Sequence, residues 1–147
     1  MFPVEPKGRD EEFASPLRGM ANVILTPHVG GSTLESQDNI GTEVAAKLIR
    51  YSDNGSTLSA VNSPEVPLPN HAGSSRIVHI DRKAPGVLSL ANDILRDEGI
   101  NIDGQYLGTD GKVGYVVTDV TTRMQQAHEL RKALSEIPGT LRTRVLY

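Results

Sequence analysis

Two rhythms of apolar and polar positions divide this chain. Between Ser32 and Gly55 the apolar residues Ile40, Val44 and Leu48 recur at helical spacing, widened by Ala45 and Ile49. Ser32-Thr33-Leu34-Glu35 ahead of them has the form of a capping box, in which the Ser32 hydroxyl accepts from an early backbone N–H and Glu35 reaches back. Glu35 and Asp38 near the start, with Lys47 and Arg50 near the end, suit the helix dipole, and Gly55 after Asp53-Asn54 is a stop signal. Just upstream, residues 23–26 read as a short apolar strand ended by Pro27.

From residue 76 the period shortens to two. Residues 76–81 predict a strand with Val78 and Ile80 on one face and His79 and Asp81 on the other. Pro85 fits the first turn of a helix whose stripe is Val87, Leu88, Ala91, Ile94 and Leu95, ended by Gly99. Residues 100–107 and 113–120 predict two strands joined through Asp110-Gly111, a strong hairpin signal. A second helix groups Ala127, Leu130, Leu134 and Ile137 before Pro138-Gly139, and residues 140–147 close as a strand. The order βαββαβ is a ferredoxin-like split. The expected class is therefore α+β, with this unit preceded by a strand and long helix of Rossmann-type α/β character. Residues 1–55, a Pro- and Ser-rich linker over 56–75, and a domain over 76–147 are the expected divisions.

Composition narrows the function. With 147 residues, a net charge of −3 and no long basic run, general binding to nucleic acid or to an anionic membrane is not expected. The absence of cysteine excludes disulfides and thiolate metal sites and fits a reducing compartment. No apolar run reaches the ~18 residues of a membrane span, and the first 20 residues lack the apolar centre of a signal peptide. The expectation is a soluble cytoplasmic protein. His71, His79 and His128 have no spacing that makes a metal face, so no metal site is expected.

One segment carries chemistry. Thr26-Pro27-His28-Val29-Gly30-Gly31-Ser32-Thr33 sets an imidazole at the carboxyl end of the short strand, beside two glycines that allow close backbone approach. Histidine is the side chain best suited to proton transfer near neutral pH. A loop histidine with no reactive role, and a plain strand-to-helix turn, are the alternatives. The segment resembles the catalytic-histidine region of the NAD-dependent D-2-hydroxyacid dehydrogenases. The resemblance continues through Asn39-Ile40-Gly41, residues 47–57, Ala60-Val61-Asn62 and the final Val145-Leu146-Tyr147. It implies that His28 moves the proton while hydride passes between substrate carbon and nicotinamide, and that the backbone of His28, Val29, Gly30 and Gly31 lies beside the ring. Among family members, those oxidising 3-phosphoglycerate to 3-phosphohydroxypyruvate for serine synthesis are the most similar.

In the family a carboxylate and an arginine complete the histidine's site from upstream positions, and neither is matched here. The Gly-x-Gly-x-x-Gly turn of a dinucleotide site is absent. The expectation is therefore a truncated reading, with Met1 an internal start or an assembly edge. The remaining dehydrogenase core would then be missing, NAD would serve only the full-length enzyme, and the chain alone would be inactive.

The second half resembles an ACT domain, a small amino-acid-sensing module. Its resemblance implies a homo-oligomer through that domain and a small amino-acid effector. Serine-responsive members carry His-x-Asn-x-Pro-Gly before the first helix, where this chain has Asp81-Arg82-Lys83-Ala84-Pro85-Gly86; the later Asn survives as Asn101. Asp81 suits an α-ammonium and Lys83 an α-carboxylate, against the alternative of a solvated charged loop. A standalone ACT-type binding or oligomerising module is the competing functional class.

Overall fold

The computed structural model describes residues 5–71 and 73–147. The chain divides into two compact units, Met1–Ile40 and Gly41–Tyr147.

In the first unit, residues 23–26 form no strand. A strand is stable only where a neighbour takes up its backbone N–H and C=O groups, and none of the described residues here supplies one. The segment is held by turns instead, such as Val23 N–H to Met20 O at 3.1 Å. The helix α1 (Leu34–Asn54) starts in this unit. Thr33, not Ser32, caps it: its Oγ1 accepts from the Ser36 amide at 3.1 Å.

The second unit holds β1 (Ser75–Arg82), α2 (Val87–Asp97), β2 (Ile102–Thr109), β3 (Val113–Val120), α3 (Met124–Ser135) and β4 (Thr140–Leu146). The sheet order is β2-β3-β1-β4, with every neighbouring pair antiparallel. β1 is central, so Val78 faces Val117 on one side and Arg144 on the other. The expected βαββαβ order is observed. Pro85 is an exception in detail. It lies before α2, whose N-cap is Gly86 with φ 90°, a left-handed backbone that a β-carbon would strain.

The period of two along β1 separates two cores. Ile77 joins Val87, Ala91, Leu95, Ile100, Val120, Leu130, Leu134 and Ile137 under the helices. Val78 joins Tyr115, Val117, Leu146 and Val66 on the opposite face, with Tyr51, Leu68, Ile80 and Tyr106 packed against them. Burying each of these aliphatic side chains contributes about 1.5–3 kcal/mol.

Residues 51–69 thus cover the sheet face that the helices leave bare. Thr57 closes their loop on itself, its N–H donating to Val66 O at 3.1 Å and its Oγ1 accepting from Val66 N–H at 2.8 Å. Gly55, at φ 75°, lies so close to the sheet that an added β-carbon would stand 2.9 Å from Val78 Cγ2. Arg76, fully buried on β1, fastens the segment. Its guanidinium donates to both carboxylate oxygens of Asp119 at 2.6 and 2.7 Å, to Asn54 O at 3.0 Å and to Pro69 O at 2.9 Å.

Candidate functional site

His28 is exposed, and its Nδ1 lies 3.1 Å from Oε2 of Glu5. The expectation that no carboxylate partner for this histidine exists in the chain is corrected by that contact. Spacing does not reveal Glu5, because it sits 23 residues upstream in an irregular segment, where no periodicity predicts which side chains meet. A carboxylate on Nδ1 orients the ring with that nitrogen as donor and leaves Nε2 for a substrate.

A cavity of about 540 Å³ opens beside the ring, lined by Glu5, Pro6, Leu25, Thr26, His28 and Val29 among others. That volume lies in the range of small-molecule sites. Val29 is exposed at its edge. Gly30 and Gly31 follow, and neither has a left-handed φ. An added β-carbon on Gly30 would meet nothing within 4 Å, and on Gly31 only Ile40 Cδ1 at 3.8 Å. Packing inside this unit therefore does not demand glycine at either position. Their carbonyls are already taken, Gly30 O by the Ser36 hydroxyl and Gly31 O by the Gln37 side-chain amide. For a dinucleotide the fit is poor. A pyrophosphate needs a glycine turn between a strand and a helix N-terminus, and residues 23–26 form no strand.

The second candidate site lies at the end of β1. Asp81 is buried on the helix side of the sheet, in the same row as Ile77 and His79. Its room comes from Gly114 across the ladder: a β-carbon there would stand 2.8 Å from both carboxylate oxygens. Burial raises the Asp81 carboxyl above the usual carboxylate range, partly offset by His79. His79 is pushed below the ordinary imidazole value by burial, with the Asp81 charge acting the other way. Its Nδ1 lies 3.3 Å from Thr143 Oγ1 and its Nε2 3.5 Å from Thr140 Oγ1.

Lys83 is exposed beyond the strand end, its backbone N–H donating to Lys112 O at 3.0 Å. Its charge acts on Asp110, whose carboxyl is held low chiefly by the amides of Lys112 and Val113. Asn101 is exposed ahead of β2. No hydrogen bond or ion pair among the described residues joins Asp81, Lys83 and Asn101, so the structure brings Asp81 to His79 and not to Lys83. No group of metal-ligating side chains occurs among the described residues. None of their helices is long and apolar enough to cross a membrane.

Known proteins give these sites a context. The AHAS small subunit-like ACT domain family matches residues 77–142. D-3-phosphoglycerate dehydrogenase of Haemophilus influenzae is 58% identical over all 147 residues, which make up 35% of that protein. The chain matches the C-terminal portion of D-3-phosphoglycerate dehydrogenase. The enzyme of Escherichia coli K12 is 54% identical over the full 147 residues, which make up 36% of its length. The chain thus spans about a third of the length of these relatives. Among solved structures, the ACT domain of a GTP pyrophosphokinase from Chlorobium tepidum aligns with half of this chain and 96% of its own, at 12% identity and a TM-score of 0.45. The family match over residues 77–142 and the βαββαβ order of the same region support an ACT-like, ferredoxin-like domain in the second half of the chain.

Proposed function

We propose that this chain is the C-terminal part of an NAD-dependent D-3-phosphoglycerate dehydrogenase, which oxidises 3-phosphoglycerate to 3-phosphohydroxypyruvate in serine synthesis. The observation that carries this reading is the 58% identity to such an enzyme along all 147 residues. In that enzyme His28 takes the proton of the substrate hydroxyl on Nε2, and Glu5 orients and stabilises the resulting imidazolium through Nδ1. The backbone from His28 to Gly31 would border the nicotinamide end of a dinucleotide whose phosphates other parts of the full-length protein would hold, and that group would supply the hydride acceptor. Residues 1–55 belong to the Rossmann-type lobes, and 23–26 become a strand only beside their neighbours there. The exposed Val44, Leu48 and Ile49 of α1 support a role in packing against the rest of the enzyme. Residues 56–75 form the connection and 76–147 the regulatory domain of a cytoplasmic enzyme.

The ACT domain associates with a second copy of itself. Edge strand β2 supports this, since Ile102 and Leu107 are 40% and 54% exposed on it. An amino-acid effector would bind where the end of β1, carrying Asp81, meets the loops that carry Lys83 and Asn101. Titrating L-serine into the protein by calorimetry tests that site: heat lost in Asp81→Asn supports it, and a flat trace removes it. Purified protein given NAD and 3-phosphoglycerate is expected to show no turnover. Turnover abolished by His28→Ala would overturn the view that the missing lobes are required.

A further inference from the structure

Asn54 and Gly55 meet at the end of α1 as a pair with its own chemistry. In a flexible peptide the glycine nitrogen attacks the carboxamide carbon of the asparagine, because no side chain on glycine blocks its approach. The new bond from that nitrogen closes a succinimide, the carboxamide's own C–N bond breaks, and ammonia leaves with the proton from the backbone nitrogen. Water then opens the ring at either carbonyl, giving aspartate or isoaspartate. The sum exchanges ammonia for water with no change of oxidation state.

The attacking nitrogen, the carboxamide oxygen and the two neighbouring carbonyls are all restrained here. The attacking Gly55 N–H donates to Tyr51 O at 3.0 Å as the last turn of the helix closes. The asparagine Oδ1 accepts from the Ser56 amide at 2.8 Å, turning the carboxamide toward Ser56. Asn54 is only 8% exposed. Both flanking carbonyls are fixed to the sheet, Asn54 O by Arg76 at 3.0 Å and Gly55 O by the Tyr115 hydroxyl at 2.6 Å. Ring closure needs rotation about the bond between the Asn54 α-carbon and its backbone carbonyl. That rotation would break these contacts and pull Gly55 from its place against Val78.

We propose that Asn54 is a latent deamidation site, silent while the end of α1 is held on the sheet and reactive whenever it lifts away. The isoaspartyl product lengthens the backbone by one methylene. The two carbonyls then cannot both reach Arg76 and Tyr115, so the reaction converts a transient opening into a lasting one.

The test ages the whole protein at mildly alkaline pH in water enriched in oxygen-18 and maps the products by peptide mass spectrometry. Label incorporation at Asn54 is expected to be slow in the folded state and fast in denaturing urea. Tyr115→Phe should accelerate it about fivefold, the factor one hydrogen bond of ordinary net strength supplies. Asn54→Gln, which would need a slower six-membered closure, should leave this peptide unlabelled. A second readout needs no variant: across sub-denaturing urea the rate should rise in step with hydrogen exchange at the Gly55 amide. Equal rates in folded and urea-unfolded protein would overturn the proposal. So would a folded Tyr115→Phe protein that ages like the parent, or a rate that stays flat while Gly55 exchange rises.

Discussion

Removing the carboxylate of Asp119 would strand the guanidinium of Arg76 inside the protein. Arg76 is 0% exposed, and Asp119 accepts from it at two points, over 2.6 and 2.7 Å. The other two bonds, to Asn54 O and Pro69 O, satisfy N–H groups but bring no opposite charge. A buried ion left without its partner costs about 3–5 kcal/mol. Against a total stability of about 5–15 kcal/mol that is a large fraction. With a urea dependence of about 2 kcal/mol per molar, Asp119→Ala should lower the unfolding midpoint by about 2 M. Far-UV circular dichroism is the suitable signal, because the protein has no tryptophan. Arg76→Met completes a double-mutant cycle. Each single change leaves one charge alone, whereas the double change leaves none, so the combined loss should fall short of the sum by about 2 kcal/mol. A loss under about 1 kcal/mol for Asp119→Ala, or strict additivity in the cycle, would refute the picture of a charge-coupled fastening.

Other consequences follow from the same geometry. Gly108→Ala would place a β-carbon against Val66 and 3.1 Å from Pro64 Cβ, costing about 1–3 kcal/mol in the same urea assay; Val66→Ala added to it should recover part of the loss. His79 carries a pH signature. Its folded value lies below the ordinary 6.5, so the unfolded state binds the proton first, and stability present above pH 6.5 declines as pH falls below it. His79→Gln should flatten that decline in urea midpoints measured from about pH 7 to about pH 5, and an unchanged slope would assign the decline to other groups. Asp81 works in the opposite sense. Its folded carboxyl titrates above 3.8, so the charged form weighs against folding at neutral pH, and Asp81→Asn should raise stability at pH 7 by an amount on the order of 1 kcal/mol. A midpoint that falls instead would mean the charge is used in the fold.

What the sequence revealed follows the range of the forces involved. The β2–β3 hairpin was legible because its turn is local: Asp110 Oδ1 accepts from the Lys112 and Val113 amides at 2.6 and 2.7 Å, all within a few residues of one another. The α3 stripe of Ala127, Leu130 and Leu134 was legible because helical spacing alone sets a face. The cover over the second sheet face was not, since Val66 and Tyr51 reach Val78 and Tyr115 only through the tertiary fold. A Pro- and Ser-rich stretch reads as a linker whether it hangs free or packs. One signal was present, though: Arg76 directly precedes the apolar run of β1 and Asp119 lies inside that of β3, and charges within such strands are buried in pairs or not at all. At His28 the residue type and its neighbours identified the candidate, but its carboxylate did not follow from spacing. Glu5 became visible only when an irregular segment was folded back onto the ring. The strand at 23–26 failed for a complementary reason: its pattern is apolar, yet a ladder requires a neighbour.

In the proposed function His28, paired with Glu5, supplies the proton-transfer group of a dehydrogenase completed by upstream lobes. Replacing the C-terminal 35% of the Haemophilus influenzae enzyme with this sequence tests it directly. The chimera should reduce NAD with 3-phosphoglycerate, lose about two to four orders of magnitude in kcat with His28→Ala, and lose less with Glu5→Gln. A folded chimera whose turnover is indifferent to His28 would contradict the account.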